Sequence, residues 1–228
     1  MRILFKYILW VMPFLFACQK NELKKPTDVS FKMDINRAPS TSGALIFDEG
    51  TINLAAFDVE GERQEGSDVS FSKEFSNGLL VSFDPNQPIS EIDFDIPQGV
   101  YKSLAISFET FDDNSDITIV CKGSYTNNSG SSIPLQFEFM SSEYFSMEAE
   151  DDSGNSDIVL DKDTPANAFI VFDPIYWFDI VPQNLLENAE TSNVNGAQTI
   201  LINDSYNDNI YEMVVTRVEE STEITFGQ

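Results

Sequence analysis

The chain has 228 residues, with 38 acidic against 13 basic side chains and a net charge of −25, a balance that repels polyanions and excludes nucleic acid as a partner. It has no histidine, which excludes Ser–His and Cys–His nucleophilic chemistry and the usual zinc and copper ligand sets. A 42% hydrophobic share with 19 Phe supplies a sizeable core, so wholesale disorder is excluded as well.

At the start, Arg2 and Lys6 form a short positive segment, and Tyr7 to Phe16 is apolar apart from the helix breaker Pro13. A membrane-spanning helix needs about 20 apolar residues, whereas a stretch of roughly ten with a positive front is a secretory signal. The stretch ends Leu15-Phe16-Ala17-Cys18, which resembles the lipobox of bacterial lipoproteins; Phe16 is bulkier than that pattern usually carries. The resemblance implies cleavage after residue 17 and a lipid on the Cys18 thiol, with attachment to the membrane through that lipid. Lipoproteins with a Cys-Gln-Lys-Asn-Glu start ahead of a β domain are common in the Bacteroidetes, and the implied location is the cell envelope, on the outer membrane. Removing 1–17 takes two basic residues and no acidic one, so the mature chain is two charges more negative. Residues 18–28 are polar and charged without apolar periodicity, as expected of a tether.

From Val29 the period is two. Val29, Phe31, Met33 and Ile35 share one face of an expected strand, and Thr51 to Val59 alternates likewise, with Ile52 and Leu54 on one face. Gly61 and Gly66 bracket a polar turn. Further strands are expected around Val69 and Phe71, Leu79 to Phe83, Ile92 to Ile96, Val100 to Phe108, Ile117 to Tyr125, Leu135 to Phe139, Ile158 to Leu160 and Phe169 to Phe172. Turn residues separate them, among them Asn77-Gly78 and Asp84-Pro85. Many short strands at this spacing predict a mainly β protein, an antiparallel β-sandwich of prealbumin or immunoglobulin type spanning residues 29–228 as one domain. Phe31, Leu54, Phe94 and Ile106 are expected in its core. Cys121, in an apolar run and with no partner once Cys18 is lipidated, reads as a small buried hydrophobe.

Near the C-terminus the pattern changes. Pro182 to Thr191 has a proline first and good helix formers after it, and Asp208 to Glu220 has apolar residues at helical spacing. The β-branched Val214, Val215 and Thr216 leave a strand open for the second segment.

One stretch carries a family likeness. Ile96-Pro97-Gln98-Gly99-Val100-Tyr101, leading into the strand to Phe108, resembles the P-x-G-x-Y strand start of DUF4382-type prealbumin-like β-sandwich lipoproteins of the Bacteroidetes. The resemblance implies a fold and a compartment over residues 29 to about 180. It implies no catalytic residue and no cofactor.

Three constellations bear on function. The acidic loops Phe111 to Asp116 and Glu148 to Asp157 offer oxygen ligands to calcium, but neither has the EF-hand spacing; they read as solvated loops, and no metal site is assigned. Ile175-Tyr176-Trp177-Phe178, flanked by Asp173 and Asp179, combines aromatics with carboxylates as sugar-binding sites do, although a core role is the simpler reading. Carboxylates are abundant enough that some pair must lie at glycosidase spacing by chance. The sequence therefore predicts a non-catalytic binding or structural module whose partner is another envelope protein or a glycan. The alternatives are a fimbrial or adhesin-like subunit donating Val29 to Ile35 by strand exchange, and a carboxylate-dependent glycan hydrolase.

Overall fold

The computed structural model describes residues 23–87, 91–111, 117–220 and 222–227. The signal segment 1–17, Cys18, the first part of the tether and Asp112 to Asp116 of the first acidic loop lie outside the described residues.

Strand β1 (Pro26–Ile35) takes in the last three residues of the expected tether, because Thr27 already alternates into the core with Val29, Phe31, Met33 and Ile35. It lies in the interior of a five-stranded sheet. One edge pairs in parallel with β11 (Ala166–Phe172), the other antiparallel with β4 (Glu91–Pro97). Beyond β11 the sheet continues with β14 (Thr222–Gly227) and the short β9 (Glu150–Asp151).

The second sheet is organised by β2 (Leu45–Arg63), a strand of 19 residues. One of its edges pairs with β3 (Val69–Ser82). The other pairs first with β6 (Ile119–Thr126) and then with β5 (Gly99–Thr110), both antiparallel to it and placed end to end. Register shifts at Asp48 and Ala55 bend so long a strand and let it cross from one partner to the next. Gly50 and Gly123 lie where the β2 and β6 backbones nearly touch; a Cβ on either would collide with a carbonyl oxygen of the opposite strand. Outside β5 and β6 run β7 (Ser132–Phe139), β8 (Tyr144–Glu148) and β10 (Ile158–Leu160), then β13 (Ala197–Ile202) and β12 (Thr191–Val194), giving nine strands among the described residues. Most ladders are antiparallel; β1 with β11, β7 with β13 and β9 with β14 are parallel. The protein is a mainly β, sandwich-like fold, as the alternation predicts.

The space between the sheets is filled by aromatic rings. Phe31 meets Phe57 at 5.1 Å, and Phe108 stacks on Phe145 at 4.7 Å while Phe172 presents an edge to both. Fully burying such a side chain contributes about 1.5–3 kcal/mol. The sheets are unequal in width, so the surplus of the larger one needs another cover. Three short helices provide it: α1 (Pro174–Phe178), α2 (Gln183–Glu187) and α3 (Asp208–Val215). Trp177 and Phe178 pack on Phe137, and Phe178 also on Phe47, extending the core over β2 and β7.

Two readings left open become definite and two expectations, for Phe94 and Gly61, are corrected. The aromatic cluster takes its core role from a helix: Asp173 caps α1 by accepting from the N–H groups of Ile175 and Tyr176, and Pro174 occupies the first turn where no N–H is needed. Helical spacing then sends Trp177 and Phe178 inward, which strand geometry could not. Asp208 to Val215 is helical despite its β-branched residues, because Ile210 and Val214 are one turn apart on the buried face. Phe94 is only half-buried; β4 is an edge strand, and the Lys73 ammonium lies 5.8 Å from the ring centre, shielding it. Gly61 stands inside β2 and not in a turn, for a reason that lies in Tyr101.

Candidate functional site

Following β1 and β2 separates the molecule into two poles. β1 starts beside Pro97 and ends beside Phe172, and β2 returns from Leu45 to Arg63. Ten strand residues at about 3.3 Å each set the poles roughly 30 Å apart.

The first pole receives the tether. The P-x-G-x-Y segment sits here: Tyr101 is buried, its ring lies against Gly61, and its hydroxyl donates to the Pro97 carbonyl at 2.6 Å. Any Cβ at position 61 would come within 2.6 Å of that ring. Gly99, at φ 149°, makes the turn. Burial raises the Tyr101 phenol to about 12. Beside it the buried Arg63 guanidinium donates to the carbonyls of Leu23 at 2.6 Å, Ser67 at 2.7 Å and Gln98 at 3.3 Å. Tether, turn and strand start are thus held by one side chain.

The second pole is built from the 36–44 loop, α1, α2 and the start of β14, and it is open. A hollow of about 460 Å³ has an apolar floor that includes Leu45, Phe178 and Leu186, and a polar rim of Ser40, Thr41, Ser42, Asp173 and Asp179. Next to it a hollow of about 390 Å³ is walled by Asn36, Asp173, Tyr176, Glu220 and Glu223. Tyr176 and Asp173 line both, so the two form one furrow divided by the Tyr176 ring. That ring is 39% exposed. Its hydroxyl is 3.3 Å from Glu220 Oε2, and the Arg217 guanidinium lies 5.0 Å from its centre. The floor is braced from below: Tyr125 donates to Glu187 Oε2 at 3.0 Å, and Asn128 N–H donates to the same carboxylate at 3.1 Å.

The remaining candidates are dispersed. Cys121 is fully buried, and burial pushes its thiol far above the ordinary range, as befits a small hydrophobe. In the second acidic loop, Asp151 Oδ1 accepts from the N–H groups of Ser153 and Asn155, and Oδ2 from the Asn155 amide. The Asn155 hydrogen bonds, the side-chain one first, hold that carboxyl below its usual value, so the loop closes on its own donors. No group of three or more acidic or cysteine side chains suited to a metal is present among the described residues. Glu143, on the β7–β8 connection, is raised to about 7, by burial first and then by the hydrogen bond and charge of Glu219. Neither carboxyl lines the furrow. Strand β1, the expected donor for strand exchange, carries a ladder on each edge.

Of the residues lining the furrow, sequence reasoning named Asp173, Ile175, Tyr176, Phe178 and Asp179 and missed Ser40 to Ser42, Glu220 and Glu223. No local signal marks these, since they come from segments far apart in the chain. No helix among the described residues is long and apolar enough to cross a membrane. No family model matches this chain, and neither a curated protein nor a solved structure is similar to it. The comparisons add nothing to the likeness carried by Ile96 to Tyr101, and take nothing from it.

Proposed function

We propose that the chain is a lipid-anchored, non-catalytic binding module of the cell envelope, held to the outer membrane through Cys18 and binding a glycan in the Tyr176 furrow. The observation that carries the reading is the position of the furrow: the described residues of the tether enter at one pole, and the furrow opens at the other. An exposed aromatic between an apolar floor and a rim of hydroxyls and carboxylates matches the amphipathic surface of a pyranose, with one apolar face and a polar edge. A hollow of that size accommodates a short oligosaccharide segment. A peptide bound by strand addition needs an open strand edge, whereas the walls of the larger hollow are mainly a loop and two helices.

Two measurements test this. Radiolabelled fatty acid is expected in the wild type and not in Cys18→Ala; equal incorporation removes the anchor. On a glycan array, the wild type is expected to give a ligand that Tyr176→Ala loses. An array blank for the wild type, or a ligand held equally by the variant, removes the furrow as the binding site.

A further inference from the structure

We propose that Lys32 and Asn167 join in a spontaneous isopeptide bond, with Glu91 carrying the proton. The three side chains stand on the outer face of the five-stranded sheet, one on each of three neighbouring strands. Lys32, on β1, lies opposite Glu91 of β4, while Asn167 of β11 sits one step back along the same face, opposite Ser30. The Lys32 ammonium reaches both partners: Nζ donates to Asn167 Oδ1 at 3.1 Å and is 3.1 Å from Glu91 Oε1. The Phe169 ring, its centre 5.7 Å from Nζ, stands on a further side. Although it points away from the core, the Lys32 side chain is therefore only 22% exposed. β1 and β11 each carry a ladder on both edges, so the amine and the amide are held together by a rigid frame, which replaces a chance encounter by a fixed approach.

The step balances with no outside reagent. Glu91 accepts a proton from the Lys32 ammonium, a transfer within ordinary hydrogen-bond reach. The freed lone pair attacks Asn167 Cγ, and a new C–N bond forms. The old C–N bond of the amide breaks, and its nitrogen departs as ammonium with the two protons that the lysine has given up, one of them by way of Glu91. Glu91 ends unchanged, and no electron is gained or lost. The product is a neutral amide that ties β1 to β11 and closes a loop spanning 135 positions of the chain. Such a loop restricts the unfolded chain as a disulfide does, in a molecule with no cysteine pair to supply one. On the anchored reading above, a pull on the lipid arrives first at β1, and the bond passes that load to the neighbouring strand.

Mass spectrometry of a tryptic digest of the full-length protein tests this. Trypsin does not cut after an acylated lysine, so the wild type is expected to give one branched peptide holding Lys32 and Asn167, lighter than its two parts by one ammonia. Lys32→Arg and Asn167→Ala are expected to give linear peptides alone. Glu91→Gln is expected to form the bond about a hundredfold more slowly after synthesis. Linear peptides alone from the wild type mean an ordinary ion pair and hydrogen bond, and overturn the inference. Ammonia lost only at Asn77-Gly78 or Asn195-Gly196, where the asparagine side chain closes on the next backbone nitrogen, is succinimide formation and overturns it as well. A branched peptide formed as fast in Glu91→Gln as in the wild type overturns the proton transfer through Glu91. The wild-type digest decides the bond itself even where a variant fails to fold.

Discussion

The two poles of the sandwich have opposite characters. Where the tether enters, Arg63 satisfies three carbonyls and Tyr101 fills the space that Gly61 leaves, so backbone, ring and cation lock together. At the far pole the connections are loops and five-residue helices, and the carboxylates of Asp173, Glu220 and Glu223 surround empty space. A pole that anchors the chain gains from rigidity. A pole that binds must keep polar groups and an aromatic surface unfilled, and it does so at some cost in stability.

Five substitutions break or sharpen that contrast. The largest loss belongs to the middle that both poles share: Phe31, fully buried against Phe57, Phe94 and Phe226, should cost about 3–5 kcal/mol as Phe31→Ala in a denaturant melt. The half-buried Phe94 should cost clearly less in the same assay. Equal losses would mean that the difference between interior β1 and edge β4 is unreal. Next comes the tether pole. Arg63→Met keeps the apolar stem but leaves the Leu23, Ser67 and Gln98 carbonyls without their donor, and about 2 kcal/mol is expected. An Arg63→Met melt that matches the wild type would show this pole to be no more rigid than the other.

A smaller effect, of about 1 kcal/mol after solvent screening, comes from Glu143 on the β7–β8 connection. Its carboxyl is raised from 4.5 to about 7, by burial first and by Glu219 second, so the folded state holds the proton more tightly than the unfolded one. The stabilisation is fully present below the unfolded value and is lost as pH rises through about 7. Stability should therefore decline between those two values, and Glu143→Gln should flatten that part of the profile. A wild-type curve that is already flat there contradicts the pairing. The smallest stability effect is expected at the open pole. Tyr176→Phe removes one exposed hydrogen bond to Glu220, so the melt should move by less than about 0.5 kcal/mol. A loss as large as that of Arg63→Met would make Tyr176 part of the scaffold and not of a furrow.

Most of the β framework was legible because a half-buried strand writes its burial directly into alternate residues, as Val29 to Ile35 and Leu104 to Phe108 do. Some signals were present and unread. Asn195-Gly196, both at positive φ, turns β12 into β13, and Asp173-Pro174 announces the start of a helix. Strand β8 was equally readable from Phe145 and Met147.

By itself the sequence determined the mainly β class, the inward faces of β1, β2 and β5, the exclusion of histidine chemistry and the acidic field, because each follows from local pattern or from a sum over residues. Only the tertiary structure decided that β1 is interior, that Gly61 exists for Tyr101, and that Ser40, Tyr176, Glu220 and Glu223 meet in one furrow. Those facts depend on which strands become neighbours. That choice is made by packing one unequal sheet against another and covering the surplus with helices, a balance of buried surface that no short stretch of residues encodes.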